Sequence, residues 1–253
     1  MVVYAGQGDP QRTMALLWRA STADPGRTTR GPKPALTVDA IVDAAIAVAD
    51  ESGLDGWSMR AVGERLGRTA MSLYTYVPTK RELIDLMYDQ AHANLATPVD
   101  PSSGWRAETE CWAHDLLACY LRHPWLLQVS HARPVLGPHE QAVLESLLRI
   151  LDRTGLPVRA IVSSLFSLVR GSAQSITETR SAATTTGTPD QEWWTLRGDL
   201  MRQLVPDFAE RFPYSAGLAR QPAPGNWEDL ATDAFTGGLA ILLDGVETAA
   251  ASI

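Results

Sequence analysis

The sequence predicts an all-α protein: a three-helix unit near the N-terminus, then a larger helical body. Three observations carry that prediction. No stretch of the 253 residues sustains the apolar–polar alternation of a strand. Apolar residues instead recur at spacings of three and four. Thr37, Ser58, Thr69 and Thr79 each stand just ahead of such a stretch, where a side-chain oxygen can cap a helix. The 45% apolar content supports a packed core and excludes a mainly disordered chain.

Residues 1–36 are rich in Gly, Pro, Arg and Thr and read as a mobile basic arm, with at most a short helical patch over 14–20. Thr37 opens the first firm helix, and Asp39 in its first turn suits the helix dipole. Val38, Ile41, Val42, Ala45, Ile46 and Ala49 form its apolar face, and Gly53 ends it. Ser58 caps the next helix, with Trp57 and Val62 as a hydrophobic staple. Gly67 supplies a left-handed stop. Thr69 caps a third helix that turns Met71, Leu73 and Val77 inward, and Pro78 stops it. Thr79 and Glu82 form a T-x-x-E capping box for a fourth helix with Leu83, Leu86, Met87 and Ala91 on its inner side.

The rest is predicted helical over 105–121, 125–131, 137–154, 158–180, 192–212 and 227–251. Residues 181–191 and 213–226 are full of Ser, Thr, Gly, Ala and Pro and read as mobile connections. The chain thus divides into an arm over 1–36, a helix-turn-helix unit over 37–91 and a helical body over 92–253.

Charge sharpens this division. The net charge is −7. Residues 1–37 carry five basic residues against two acidic, and residues 56–81 carry five against one, giving +3 and +4 and leaving −14 on the remainder. An acidic body with a local basic face repels DNA except where contact is wanted. In the basic corner, Thr69, Ser72, Tyr74, Thr75 and Tyr76 crowd one short helix, with Arg60, Arg65, Arg68, Lys80 and Arg81 around it. Hydroxyls and cations so arranged suit phosphate oxygens, and predict a DNA-binding helix-turn-helix. The capping box also sets Lys80 in a first helical turn, where its ammonium and free backbone amides can meet one phosphate.

Several classes are excluded. Cys111 and Cys119 lie eight residues apart in one helical pattern, roughly 12 Å along its axis, beyond the ~7 Å reach of a disulfide. They read as reduced core thiols of a cytoplasmic protein. No apolar run approaches a membrane span, and no signal-peptide pattern is present. His114, His123 and His139 have no metal spacing, and no cofactor, nucleophile-elbow or phosphate-loop motif occurs. An enzyme and a protein-interaction module that no longer binds DNA remain as alternatives.

The region 37–91 resembles the tetracycline-repressor (TetR) family of transcription regulators. The likeness rests on the first amphipathic helix, then Ser58 through Leu66–Gly67, Thr69, Leu73–Tyr74, Lys80 and Leu83. Tyr76 stands where the family often has His, and Val77 where it often has Phe. His123-Pro124-Trp125, Gly137-Pro138 and Asp152-Arg153-Thr154-Gly155-Leu156 resemble the C-terminal domain of the tetracycline-repressor subgroup itself.

The resemblance implies that Ser58 and Arg60 approach the DNA backbone or groove. Thr69, Ala70, Met71, Ser72, Thr75 and Tyr76 would face base edges or sugar, while Tyr74 and Lys80 clamp phosphates. No Arg, Asn or Gln lies within 69–76 to make a bidentate base contact, so specificity falls to Arg60, DNA shape and apolar contacts. The RGPKP motif that begins at Arg30 resembles segments that lie in an A·T-rich minor groove, and equally suits a solvated basic tail.

For the body, the resemblance implies a homodimer and a small-molecule effector that moves the fourth helix and releases operator DNA. The helices over 158–180 and 227–251, with Gly237 and Gly238, suit either a four-helix subunit interface or a central core. Candidate pocket residues are Trp112, Leu116, Trp125, His131, Arg133, Phe166, Arg170 and Gln174. The eight Trp suit a flat apolar ligand or ordinary core packing.

Overall fold

A computed structural model describes residues 3–19, 36–95, 102–221 and 226–252. The head consists of α2 (Val38–Gly56), α3 (Met59–Arg65), α4 (Ala70–Tyr74) and α5 (Lys80–Ala91). Thr37, Ser58, Thr69 and Thr79 each accept a hydrogen bond from the backbone amide three residues on, at 3.1, 3.1, 3.4 and 3.2 Å. α2 breaks at Gly53. The staple holds: Trp57 and Val62 are both buried, and the Trp57 indole donates to the Ala45 carbonyl at 3.1 Å. Two glycines make the corner. Gly67 turns the chain at φ +62°. A Cβ at Gly63 would lie 2.7 Å from the Arg68 carbonyl, so only glycine lets α3 cross the start of α4 this closely.

The body comprises α6 (Trp105–Arg122), a 3₁₀ turn (Pro124–Gln128), α7 (Pro138–Asp152), the long α8 (Val158–Thr186), α9 (Asp190–Leu204), α10 (Phe208–Arg211), α11 (Pro213–Leu218) and α12 (Trp227–Ala250). α8 packs against both α6 and α12. Leu165, Val169, Ala173 and Ile176 of α8 meet Phe235, Leu239 and Leu243 of α12 in the core. Gly238 faces the Leu168 side chain within the chain. Among the described residues no helix is long and apolar enough to cross a membrane.

Several expectations are corrected. Residues 3–19 are docked, not an arm: β1 (Val3–Tyr4) pairs in parallel with β2 (Val129–Ser130), and α1 (Pro10–Leu17) packs on α5. The rest of the expected arm, with RGPKP, lies outside the described residues. Residues 125–131 do not form an α-helix, because the Arg170 guanidinium takes the carbonyls of Leu126, Leu127 and Val129. α8 continues through 181–186, since Thr184 and Thr186 return their hydroxyls to the carbonyls of Ser181 and Ala182. The helix expected over 192–212 splits at Val205, where Pro206 has no N–H to continue it. The connection over 213–226 holds the short helix α11. Met71 points outward, 77% exposed, because Leu73 and Val77, with Ala70 and Tyr76 partly buried beside them, fill the inner side of the α4 turn. Cys111 is exposed and only Cys119 is a core thiol.

The docked N-terminal segment bears on two acids of α5. Arg12 Nε donates to the fully buried Glu82 at 2.6 Å, whose other oxygen takes the Thr79 hydroxyl at 3.1 Å. The Gly6 amide donates to Asp85 at 3.0 Å. Burial pushes the Asp85 carboxyl up to about 6, with the Gly6 amide opposing. Its folded value lies above the ordinary 3.8, so its contribution to stability is complete below 3.8 and is lost as pH rises toward 6. Replacing Asp85 by Asn is therefore expected to stabilise the protein relative to its parent increasingly across that window, by on the order of 2 kcal/mol. Thermal unfolding at a series of pH values checks this; a difference independent of pH would exclude a buried ionised carboxylate.

Candidate nucleic-acid interface and interhelical cavity

The outer face of the corner gathers most of the side chains expected there. Arg60, Thr69, Met71, Tyr74, Thr75 and Lys80 are exposed, and Ser58, Ala70, Ser72 and Tyr76 are half-buried. Ser58 and Thr69 spend their oxygens as acceptors within their own caps, and the Ser72 hydroxyl donates to the Thr69 carbonyl at 2.7 Å. These groups shape the helix starts, leaving Tyr74, Thr75 and the cations more open. Tyr76 leans against the core. Arg60 pairs with Glu64 at 2.8 Å while 86% of its side chain stays exposed, a solvent-screened i,i+4 pair that a phosphate or base edge easily replaces. Arg65 pairs with Glu51 at 2.8 Å.

Lys80 is positioned from two sides. Its ammonium donates to the Trp57 carbonyl at 3.1 Å and lies 4.8 Å from the centroid of the Trp57 ring. An ammonium has three protons, so two remain for an incoming oxygen. Trp57 itself is fixed by its indole bond to Ala45, which makes it a support for Lys80 that the sequence pattern did not reveal.

The other end of α5 borders a cavity of about 390 Å³ enclosed by α5, α6, α7, α8 and the segment between β2 and α7. Tyr88, His92, Tyr120, Phe166 and Val143 supply its aromatic and apolar wall; His131, Glu140, Gln141, Ser163, Ser167 and Arg170 supply polar groups. Burial pulls the His92 imidazole down to about 4, so it is neutral near pH 7. Burial also lowers His131, with Arg170 adding to the effect, and raises Glu140 against the opposing bond from the Leu136 amide. Arg170 is held over the Tyr120 ring at 5.8 Å and by the carbonyls of the 3₁₀ turn. Mostly apolar walls with a few fixed donors and acceptors suit an oxygenated aromatic molecule.

Of the expected pocket residues, His131, Phe166 and Arg170 line this cavity. Trp112 stands one layer behind, its ring edge-on to Phe166 at 5.1 Å and its indole bonded to the Val143 carbonyl. Leu116 is 1% exposed in the core. Trp125 is as deeply buried and donates to Asp50 at 2.8 Å. Arg133 and Gln174 are exposed away from the cavity, Gln174 bonding Glu178 on its own helix. Tyr88, His92, Tyr120 and Glu140 escape the sequence pattern, because their helices are amphipathic in ways that packing explains equally well. Among the described residues, no group of three or more His, Cys, Asp or Glu is arranged to hold a metal ion.

The head and the cavity are joined through Asp89 of α5, which is 4% exposed and accepts the amides of His139 and Glu140 at 3.0 and 2.9 Å, capping α7. A second link runs through Asp50 of α2, which receives both His123 and Trp125 at 2.8 Å.

Comparison with known proteins agrees with this architecture. The profile for bacterial regulatory proteins of the tetR family matches residues 41–87, and that for the tetracyclin repressor-like C-terminal domain matches residues 97–250. The HTH-type transcriptional repressor DrrR1 of Streptomyces coeruleorubidus is 40% identical over 248 residues, spanning 96% of this chain and 87% of that protein. An HTH-type transcriptional regulator of Saccharopolyspora erythraea is 35% identical over 123 residues, 49% of this chain and 52% of that one. Apo ActR of Streptomyces coelicolor shares the fold with a TM-score of 0.66 at 23% identity, covering 87% of this chain and 99% of its own. ActR in complex with actinorhodin aligns with the same TM-score and coverage at 26% identity. With both halves of the chain matched and a relative alike over nearly its whole length, this protein belongs to the TetR family of helix-turn-helix transcription regulators and is not an enzyme.

Proposed function

We propose that this protein is a cytoplasmic, homodimeric repressor that leaves its operator DNA when an oxygenated aromatic small molecule enters the interhelical cavity. The observation that carries the reading is α5: Lys80 sits in its first turn beside the recognition corner, and Tyr88 and His92 face the cavity at its other end. The 12 residues of α5 span about 18 Å. A ligand pressing on Tyr88 therefore acts on a rigid rod whose far end carries a phosphate-facing lysine.

The energetics are modest. A hundredfold fall in operator affinity needs roughly 2.8 kcal/mol of differential binding. One charge-assisted hydrogen bond, such as an amide bond to Asp89, is worth about 1.5–3 kcal/mol. Remaking that single joint is enough.

Dimerisation is supported by the outward faces of α8 and α12. Ser164, Gly171 and Ser175 on α8 and Ala234, Gly237, Ile241 and Gly245 on α12 are exposed, and Ile241 is 75% so. Small residues around an exposed Ile permit close packing against a second copy. Two heads about 34 Å apart would read successive major grooves. The relative DrrR1, named as a repressor, and ActR, solved in complex with actinorhodin, support repression and effector release.

Binding of the purified protein to its own upstream DNA, with genomic selection for sites, tests the proposal; absence of any specific site would end it. Lys80→Ala and Tyr74→Ala are expected to weaken binding to all sequences alike, Lys80→Ala lowering the slope of log affinity against log salt by about one. Arg60→Ala is expected to relax preference at one base pair, weakening binding to the preferred operator by roughly 5- to 150-fold. Equal losses on every sequence would remove Arg60 from base reading. Ser167→Trp, which fills the cavity from α8, is expected to keep operator affinity yet abolish release by any oxygenated aromatic that frees the parent in a gel-shift panel. Release that survives this change would place the effector elsewhere.

A further inference from the structure

A second concavity lies at the far end of α8, roughly 18 Å along the helix from Arg170 to Ala182, and belongs to no part of the site above. It measures about 350 Å³ and is walled by Trp193, Trp194 and Trp227 together with Glu178 and Asp190. A smaller hollow of about 280 Å³ shares Thr179, Asp190 and Trp227 with it and adds Glu228. The three indoles are organised: Trp194 stacks on Trp227 at 4.4 Å, and Trp193 meets Trp194 edge-on at 4.8 Å. Trp193 and Trp194 nevertheless remain 39% and 47% exposed.

Exposed, mutually ordered tryptophans mark a place where a partner is received. The charges say which kind. Among the described residues no Lys, Arg or His lines either hollow, while three carboxylates do. Glu228 is matched by Arg180 at 2.6 Å and Glu178 takes the Gln174 amide, which leaves Asp190, the first residue of α9, as the third carboxylate and one that lines both hollows. A cation already uses this cluster from outside: the Arg197 guanidinium lies 5.1 Å from the centroid of Trp193. Indole faces attract cations by about 0.5–2 kcal/mol each, and the neighbouring carboxylates add to that attraction and repel anions.

We propose that this concavity is a binding site for an alkylammonium cation, its head against Trp193, Trp194 and Trp227 and its charge met by Asp190 and Glu178. The site is separate from the effector cavity and does not depend on the reading of that cavity.

The test uses the full chain and choline as the probe, with dimethylbutanol, its uncharged carbon isostere, as the control. Isothermal titration and changes in the indole signals on addition of choline report binding. Saturable choline binding is expected, with dimethylbutanol at least tenfold weaker. Trp194→Ala is expected to weaken choline by about 3- to 30-fold, and Asp190→Asn several-fold with loss of most of the salt dependence. Trp194 is exposed and Asp190 half-buried, so the thermal unfolding of each variant is compared with the parent's to separate lost binding from lost folding. The proposal is overturned if choline does not saturate, if the isostere binds equally, or if Phe166→Ala rather than Trp194→Ala removes binding. It is also overturned if Trp194→Ala sediments as a smaller species than the parent, since the cluster would then be subunit contact.

Discussion

Three carboxylates on one stripe of α5 hold the halves of this molecule together. Glu82, Asp85 and Asp89 are spaced three and four residues apart and are 0%, 1% and 4% exposed. A bare buried carboxylate costs several kcal/mol, so each must be met by donors. The donors come from three separate places: Arg12 in the N-terminal segment, the Gly6 amide beside β1, and the first amides of α7. α5 is consequently the spine on which the N-terminal segment and the body are both hung, while its apolar side packs against α2. The DNA-facing corner and the interhelical cavity inherit their relative placement from that spine.

What the sequence made legible follows from distance along the chain. The four hydroxyl caps and the turn at Gly67 depend on neighbours within a few residues, and each stands where its local pattern placed it. The same locality explains why the outer face of α4 was readable. Gly63 was not, because its meaning lies in the approach of the Arg68 carbonyl, a fact of three dimensions. The docked N-terminal segment escaped for the same reason at greater range: the contacts that hold it join residues 70, 79 and 118 positions apart.

The cavity was only partly legible. Of the expected pocket residues, His131, Phe166 and Arg170 line the cavity, the last two one turn apart on α8. Trp112 and Trp125 were misplaced because a tryptophan beside a pocket and one in a core have the same sequence signature; here each spends its indole N–H on a fixed internal acceptor. Arg170 illustrates how one residue serves two ends. It terminates the 3₁₀ turn through three carbonyls and also presents a charge to the cavity wall. Its neighbours His92 and Tyr120 are neutral, so Arg170 and the Glu140 carboxyl are the groups that give the cavity its electrostatic character.

The position of the docked segment has a consequence for the order in which the protein is assembled. Residues 3–19 are synthesised before the partners that dock them on α5 and β2. Gly6 awaits Asp85, the pairing of β1 awaits Val129, and the bond from the Trp18 indole to the Leu136 carbonyl awaits Leu136. Arg12 and Gly6 can meet Glu82 and Asp85 once α5 emerges, but the pairing of β1 with β2 follows only later. The head helices, whose contacts are local, are able to close first, and the segment that seals them arrives as a late fastening. Early synthesis and late docking make this short stretch a place where the growing chain waits on its own far end.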